Sequence, residues 1–176
     1  MSVISFVKRT SVLLGVLGVS VGCDQATKHL ATASLAGHQQ QSFLGDLFRL
    51  TYAMNDGAFL SLGANLSSGA RFWVLTVGVG LLLAGLLAYA MFGRKLNAFQ
   101  VGGYALIAGG GLSNWFDRAR NGGAVVDFMN MGFGQQPWQR TGIFNVADVA
   151  ILVGIGVLLL VKEKKPTPAL PPQTTP

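Results

Sequence analysis

Charge is what this chain has least of. Only 11% of its 176 residues are Asp, Glu, Lys or Arg, against roughly 25% in a soluble domain. That deficit excludes an ordinary water-facing surface and points to lipid as the solvent. A single cysteine, Cys23, excludes an intrachain disulfide and a multi-cysteine metal site; it reads as a small apolar residue in a helix. With only two histidines, His29 and His38, the chain lacks the ligand spacing of a zinc centre. It also lacks a serine hydrolase signature, because Ser113 lies in Gly-Leu-Ser-Asn and not in a Gly-x-Ser-x-Gly elbow. Five of the six prolines fall beyond Lys162, so the tail 162–176 cannot bury a core and is expected to be disordered.

Apolar residues, in contrast, make up 51% of the chain and come in blocks. Residues 72–92 and 96–116 carry no charge, and 143–161 is interrupted only by Asn145 and Asp148; each is about the length a helix needs to cross the hydrocarbon core. Backbone groups in lipid must be satisfied inside their own element, which makes these blocks helices and not core strands. The first block, residues 11–23 after Lys8 and Arg9, is of signal-peptide length on its own. A cleaved lipoprotein signal ending at Ser20-Val21-Gly22-Cys23 is the rival reading, with a Ser where such signals usually have an aliphatic residue. Extended through Asp24, Thr27 and Lys28 to Ala36, the block becomes a full span, a helix over about residues 11–31 whose outer end sets Asp24 and Lys28 on one face, able to pair.

The formal charge of +6 would suit nucleic acid, but its distribution argues against that partner. Lys8, Arg9, Arg94, Lys95, Lys162, Lys164 and Lys165 flank the spans on one side with Glu163 as their only acid. The other side balances Lys28, Arg49, Arg71, Arg118, Arg120 and Arg140 against all six aspartates. By the positive-inside rule both termini and the turn 93–95 are cytoplasmic. Any acid chemistry then belongs to the outer face.

The expected architecture is an all-α membrane protein with four transmembrane helices and a small extracytoplasmic β-containing loop region between helices one and two. Residues 1–161 form one membrane domain and 162–176 a disordered cytoplasmic tail. The loop 35–66 mixes aromatic and β-branched residues with Gly and Asp, which suits a small sheet on the membrane surface, and 122–131 reads as extended. Gly18 with Gly22, and the run Gly109-Gly110-Gly111, are expected to let helix backbones approach closely. Trp73, Trp115 and Trp138 fit an aromatic belt.

With serine and zinc chemistry set aside, carboxylates remain. Two brought close share one proton, because both cannot ionise cheaply, and such a pair hydrolyses an amide directly: the ionised member deprotonates water while the protonated member gives its proton to the carbonyl oxygen. Asp148, about one turn inside helix four, and Asp127, on the segment leading back to it, can meet at the outer interface. Asn145 shares a face with Asp148, and Asn114, Asp117 and Arg118 share one at the outer end of helix three. Blander readings stand beside these. Asn145 with Asp148 is also a helix-capping pattern, Asp24 with Lys28 a structural ion pair, and Asp117 with Arg118 a helix end anchored at the headgroups. Asp46, Asp56, Arg49, Arg120 and Arg140 read as solvated loop charges. A non-enzymatic membrane channel or assembly protein, with the polar nest as packing, is the alternative from another class, and an enzyme acting on lipid headgroups is a third.

Five motifs in order resemble those of the lipoprotein signal peptidases, the membrane aspartic peptidases also called signal peptidase II. They are Asp24-Gln25-x-Thr27-Lys28, Asn55-x-Gly57-Ala58-Phe59, Gly109-Gly110 through Asn114-x-x-Asp117-Arg118, Val125-Val126-Asp127-Phe128 and Phe144-Asn145-x-Ala147-Asp148. The resemblance implies that Asp127 and Asp148 are the catalytic pair. It implies that Asn55, Asn114, Arg118 and Asn145 position the substrate and that Asp24, Lys28 and Asp117 support the site. It further implies cleavage of the signal peptide from a prolipoprotein just before a diacylglyceryl-modified cysteine. The place of cleavage is the outer face of the bacterial cytoplasmic membrane, with membrane lipid around a monomer and no metal or organic cofactor. Two positions depart from the family pattern: Phe59 follows Ala58 directly where an extra alanine is common, and Ser113 stands where a glycine usually precedes Asn114.

Overall fold

The computed structural model describes residues 5–57 and 67–161. Ala58 and Phe59 of the second motif, with the register of the loop they begin, and the tail 162–176 lie outside the described residues. Among the described residues four helices carry the fold: α1 (Phe6–Leu35), α2 (Gly69–Phe92), α3 (Ala98–Arg120) and α4 (Val146–Leu160). The strands β1 (Gln41–Phe43), β2 (Phe48–Asn55) and β3 (Val125–Met131) form one antiparallel sheet in the order β1-β2-β3. The segment expected to be extended, 122–131, therefore completes the sheet begun between α1 and α2. Helices α1 and α2 are each long and apolar enough to cross a membrane, and α4 is a shorter apolar helix.

The packing is inverted relative to a water-soluble protein. Leu81 and Leu82 at 71% exposure, Leu159 at 78% and Leu160 at 84% face outward, while Arg9, Asp24, Lys28, Asp117, Arg118, Asp127 and Asp148 are buried. Two apolar clusters bracket the polar centre. Leu13, Ala90, Leu96, Val101 and Ala105 pack at one end; Ala31, Leu35 and Phe128 join α1 to the sheet at the other. Arg9 is part of this frame as well as a flanking charge, since its guanidinium donates to the carbonyls of Ala90, Met91 and Gly93, satisfying the open C-terminal end of α2.

Local chemistry sets the helix ends. Asn97 and Gln100 form a reciprocal capping box that starts α3, and Asn145 with Asp148 does the same for α4. Helix α3 runs on past residue 116 to Arg120 because Asp117 and Arg118, expected near its end, are buried inward. Gly122 and Gly123, at φ of 64° and 104°, then reverse the chain into β3, conformations that favour glycine. A register shift between Leu50 and Ala53 bends β2, so that Ala53 pairs with Asp127 and Asn55 with Val125. Helix α2 contains a π-helical stretch, Phe72–Gly78, and the Trp115 indole donates to Thr76 O at 2.8 Å. Trp115 thus ties α3 to α2.

The glycine expectation holds for one set and fails for the other. A Cβ on Gly109 would meet Ser20, one on Gly110 would collide with the Ala147 carbonyl oxygen, and one on Gly111 would meet Leu83. Gly18 and Gly22 have nothing within 4 Å, so their spacing reflects no close contact. Gly110→Ala is expected to cost about 1–3 kcal/mol through overpacking of α3 on α4, whereas Gly22→Ala is expected to be neutral or to stabilise by up to about 1 kcal/mol. Thermal unfolding in detergent reads both, and equal effects would contradict the close approach at Gly110.

Candidate active site

The site begins at the first turn of α4. The Asn145 side-chain oxygen accepts the Asp148 N–H at 3.0 Å, and Asp148 Oδ2 accepts the Asn145 N–H at 3.1 Å. The cap fixes the Asp148 carboxylate and leaves the Asn145 amide nitrogen pointing away from its own helix. That Nδ2 donates to Asp127 Oδ1 at 2.7 Å and to Asn114 Oδ1 at 3.0 Å. Asn145, fully buried, thus touches both aspartates.

Strand β3 brings Asp127 to this point, and β2 brings Asn55 beside it, donating through Nδ2 to Asp127 Oδ2 at 2.8 Å. The Asn55 amide is itself oriented by the Gly57 N–H, which donates to its Oδ1 at 2.9 Å. Asp127 is 2% exposed, and burial pushes its carboxyl up to about 6, against the opposing pull of the Asn55 donor and with the Asp148 charge adding to the rise.

Beneath the pair lies a buried ion cluster. Lys28 contacts Asp24 Oδ2 at 2.7 Å and Asp117 Oδ2 at 2.9 Å. Each acid also reaches the backbone next to one of the aspartates. Asp24 Oδ1 accepts the Ala147 N–H at 2.7 Å, one residue before Asp148; Asp117 Oδ2 accepts the Val126 N–H at 3.2 Å, one residue before Asp127. Two residues not expected to act complete the cluster. Ser113 Oγ donates to Asp24 Oδ2 at 2.7 Å, and Gln25 Nε2 donates to Ser113 Oγ at 2.9 Å and Asp117 Oδ1 at 2.8 Å. The departure at Ser113 thus adds a hydroxyl that the cluster uses. Nothing in spacing announces this, although Gln25 adjoins Asp24 and Ser113 adjoins Asn114 in the motifs.

All nine residues expected at the site are brought together, but their free valences differ. The side-chain amides of Asn55, Asn114 and Asn145 are engaged with carboxylates, a lysine or backbone. Arg118 donates through one Nη to Gly57 O at 2.7 Å, and its buried Nε meets no partner among the described residues. A cavity of about 310 Å³ opens onto Asp127, Asn55, Gly57 and Ile143, and a second of about 420 Å³ lies along Arg118, Arg71 and Thr76. Asp56 borders both.

Asp46, Arg49 and Arg140 are not the solvated loop charges their sequence context suggests, whereas Asp56 and Arg120 are exposed as expected. Asp46 is bonded by Arg49 and Ser42 and approached by Arg140, which holds its carboxyl well below the usual carboxylate range, the Arg49 hydrogen bond contributing most. Arg140 also donates to Asn130 and to the carbonyls of Asp46 and Gly134, so the cluster clasps the β1–β2 turn to the loop after β3. Arg71 approaches Asp56 at 3.5 Å.

A helical protein with an apolar exterior and an aspartate pair at a buried polar centre belongs with small membrane enzymes. Two solved structures described as a bacterial membrane enzyme, determined in meso at 2.3 and 1.9 Å, share the fold with TM-scores of 0.68 and 0.71 at 22% identity. They cover 88% and 84% of this chain and 94% and 90% of their own. Residues 16–162 match the family of signal peptidase (SPase) II. The lipoprotein signal peptidase of Thermosynechococcus vestitus is 36% identical over 154 residues, 86% of this chain and 90% of that relative. That of Actinobacillus succinogenes is 38% identical over 140 residues, 78% and 80% of the two chains. The chain belongs to the signal peptidase II family.

The raised Asp127 has a thermodynamic consequence. An acid whose folded-state value exceeds its unfolded one supports the fold while protonated and loses that contribution as pH rises, here between 3.8 and about 6. The thermal midpoint of Asp127→Asn relative to wild type should therefore climb between about pH 4 and about pH 7, by the equivalent of roughly 2–3 kcal/mol. A difference independent of pH would contradict the burial of a titrating Asp127.

Proposed function

We propose that this chain is an aspartic endopeptidase that removes the signal peptide from diacylglyceryl-modified prolipoproteins, cutting before the lipidated cysteine, with Asp127 and Asp148 as the catalytic pair. The observation that carries the reading is Asn145, whose amide and backbone N–H groups bind one carboxylate each, so that one rigid helix start sets both. Membership of a family whose relatives are named lipoprotein signal peptidases supports the substrate class.

In this reading all four helices span the bacterial inner membrane, both termini are cytoplasmic, and a monomer presents the pair at the outer face. The apolar exteriors and the basic segments at one side support that orientation. The pair shares one proton, drawn on Asp127 in the cycle that follows. Ionised Asp148 takes a proton from water, whose oxygen attacks the scissile carbonyl carbon while Asp127 protonates the carbonyl oxygen. The tetrahedral species collapses when Asp148 returns its proton to the departing nitrogen and Asp127 recovers its own from a hydroxyl. Water is consumed, one amide becomes an acid and an amine, and the pair is restored. Arg118, with donors unspent, holds a substrate carbonyl, while the three asparagines hold the carboxylates.

Purified wild type, Asp127→Asn and Asp148→Asn, each verified as folded, are compared on a lipid-modified prolipoprotein in detergent. Wild type is expected to cleave and each variant to lose at least about 10³-fold in rate. Wild-type rates in either variant would favour a packing or transport role for the polar centre.

A further inference from the structure

Lys28 is 3% exposed, and its ammonium has three N–H groups for three acceptors, Asp24 Oδ2, Asp117 Oδ2 and Asn114 Oδ1, the last at 2.7 Å. An ammonium only donates, so the Asn114 carbonyl oxygen must face it. The same oxygen accepts from Asn145 Nδ2 at 3.0 Å. With Oδ1 held from two sides, one orientation of the Asn114 amide is left, and in it Nδ2 donates to Asp148 Oδ1 at 3.0 Å. Rotated by half a turn, the amide would set its NH2 against an ammonium and a second NH2, and would turn an oxygen toward the Asp148 carboxylate.

We propose that Lys28 is a positioning residue of the aspartate pair: it orients the Asn114 side-chain amide and so keeps on Asp148 a hydrogen-bond donor that the carboxylate needs in order to act as the base. The proposal rests on the peptidase reading and specifies how its base is held ready. Loss of Lys28 frees the amide to turn. In the turned state Asp148 meets an oxygen and must hold a proton to bond with it, which removes the base that activates water.

A purely electrostatic role makes a different prediction, because the charge of Lys28 would act on Asp148 whether or not Asn114 is present. The charged groups around Asp148 are Asp24 and Lys28 from α1, Asp117 and Arg118 from α3, and Asp127 from β3. Only the route through Asn114 depends on residue 114.

The test is the acidic limb of the kcat profile against pH for a lipid-modified prolipoprotein, measured for wild type, Lys28→Met, Asn114→Ala and the double variant. Lys28→Met is expected to lower kcat about 100-fold with KM changed less than about threefold, and to move the acidic limb up by about one pH unit. In the Asn114→Ala background the same substitution is expected to move it by less than about a third as much. Equal displacement in both backgrounds, or none in the wild-type background, overturns the proposal. Removing Lys28 leaves two buried acids without their cation, so the charge-balanced Lys28→Met/Asp24→Asn variant is measured alongside. It should displace the limb as Lys28→Met does, and a wild-type limb in that folded variant also overturns the proposal. Inert Asp127→Asn and Asp148→Asn beside an active wild type leave the peptidase reading standing even where Lys28 proves indifferent.

Discussion

A lysine ammonium buried among helices that face lipid has no water to fall back on, and its desolvation has to be offset by acceptors held in place. At Lys28 those acceptors come from α1 and α3: Asp24, Asp117 and Asn114. None of the three is used up by the lysine. Asp24 goes on to the Ala147 N–H and Asp117 to the Val126 N–H, so the groups that neutralise the lysine also hold the backbone immediately before Asp148 and Asp127. The placement of a helix start and a strand start is in this way tied to a single buried charge.

The rest of the structure supplies the surroundings that make such a centre tolerable. Close approach at Gly109, Gly110 and Gly111 brings α3 against α1, α4 and α2. The sheet delivers Asn55 and Asp127 from the outer side, and the bend in β2 sets their register. Far from the centre, the Asp46, Arg49 and Arg140 clasp fixes the outer end of that sheet. Burial that raises Asp127 is thus a consequence of the same packing that positions it.

Much of this was legible in the sequence, for identifiable reasons. Apolar blocks announce helices because lipid leaves the backbone few alternatives, and the aspartates, asparagines and Arg118 stand out because polar residues at the ends of such blocks are costly without a partner. The Asn145 and Asp148 spacing carries both the cap and the site. What stayed hidden depends on contacts between distant segments. No spacing rule reveals that Asp24 caps a helix more than a hundred residues away at Ala147, that Ser113 serves Asp24, or that Arg140 returns to Asp46. Gly18 and Gly22 carry the same small-residue pattern as the α3 glycines yet meet nothing, since the pattern records which approach is permitted and not which is made. The π-helical stretch of α2 and its bond from Trp115 likewise have no local signature.

Whether Asp127 and Asp148 act as one proton-sharing unit is read from the wild-type dependence of kcat on pH. A shared proton gives a bell: activity falls at low pH as the pair takes up a second proton, and falls again at higher pH as it loses the shared one. A rate that stays level through the region about 6 where Asp127 titrates, and on to well above it, would contradict a shared proton and with it the two-aspartate mechanism.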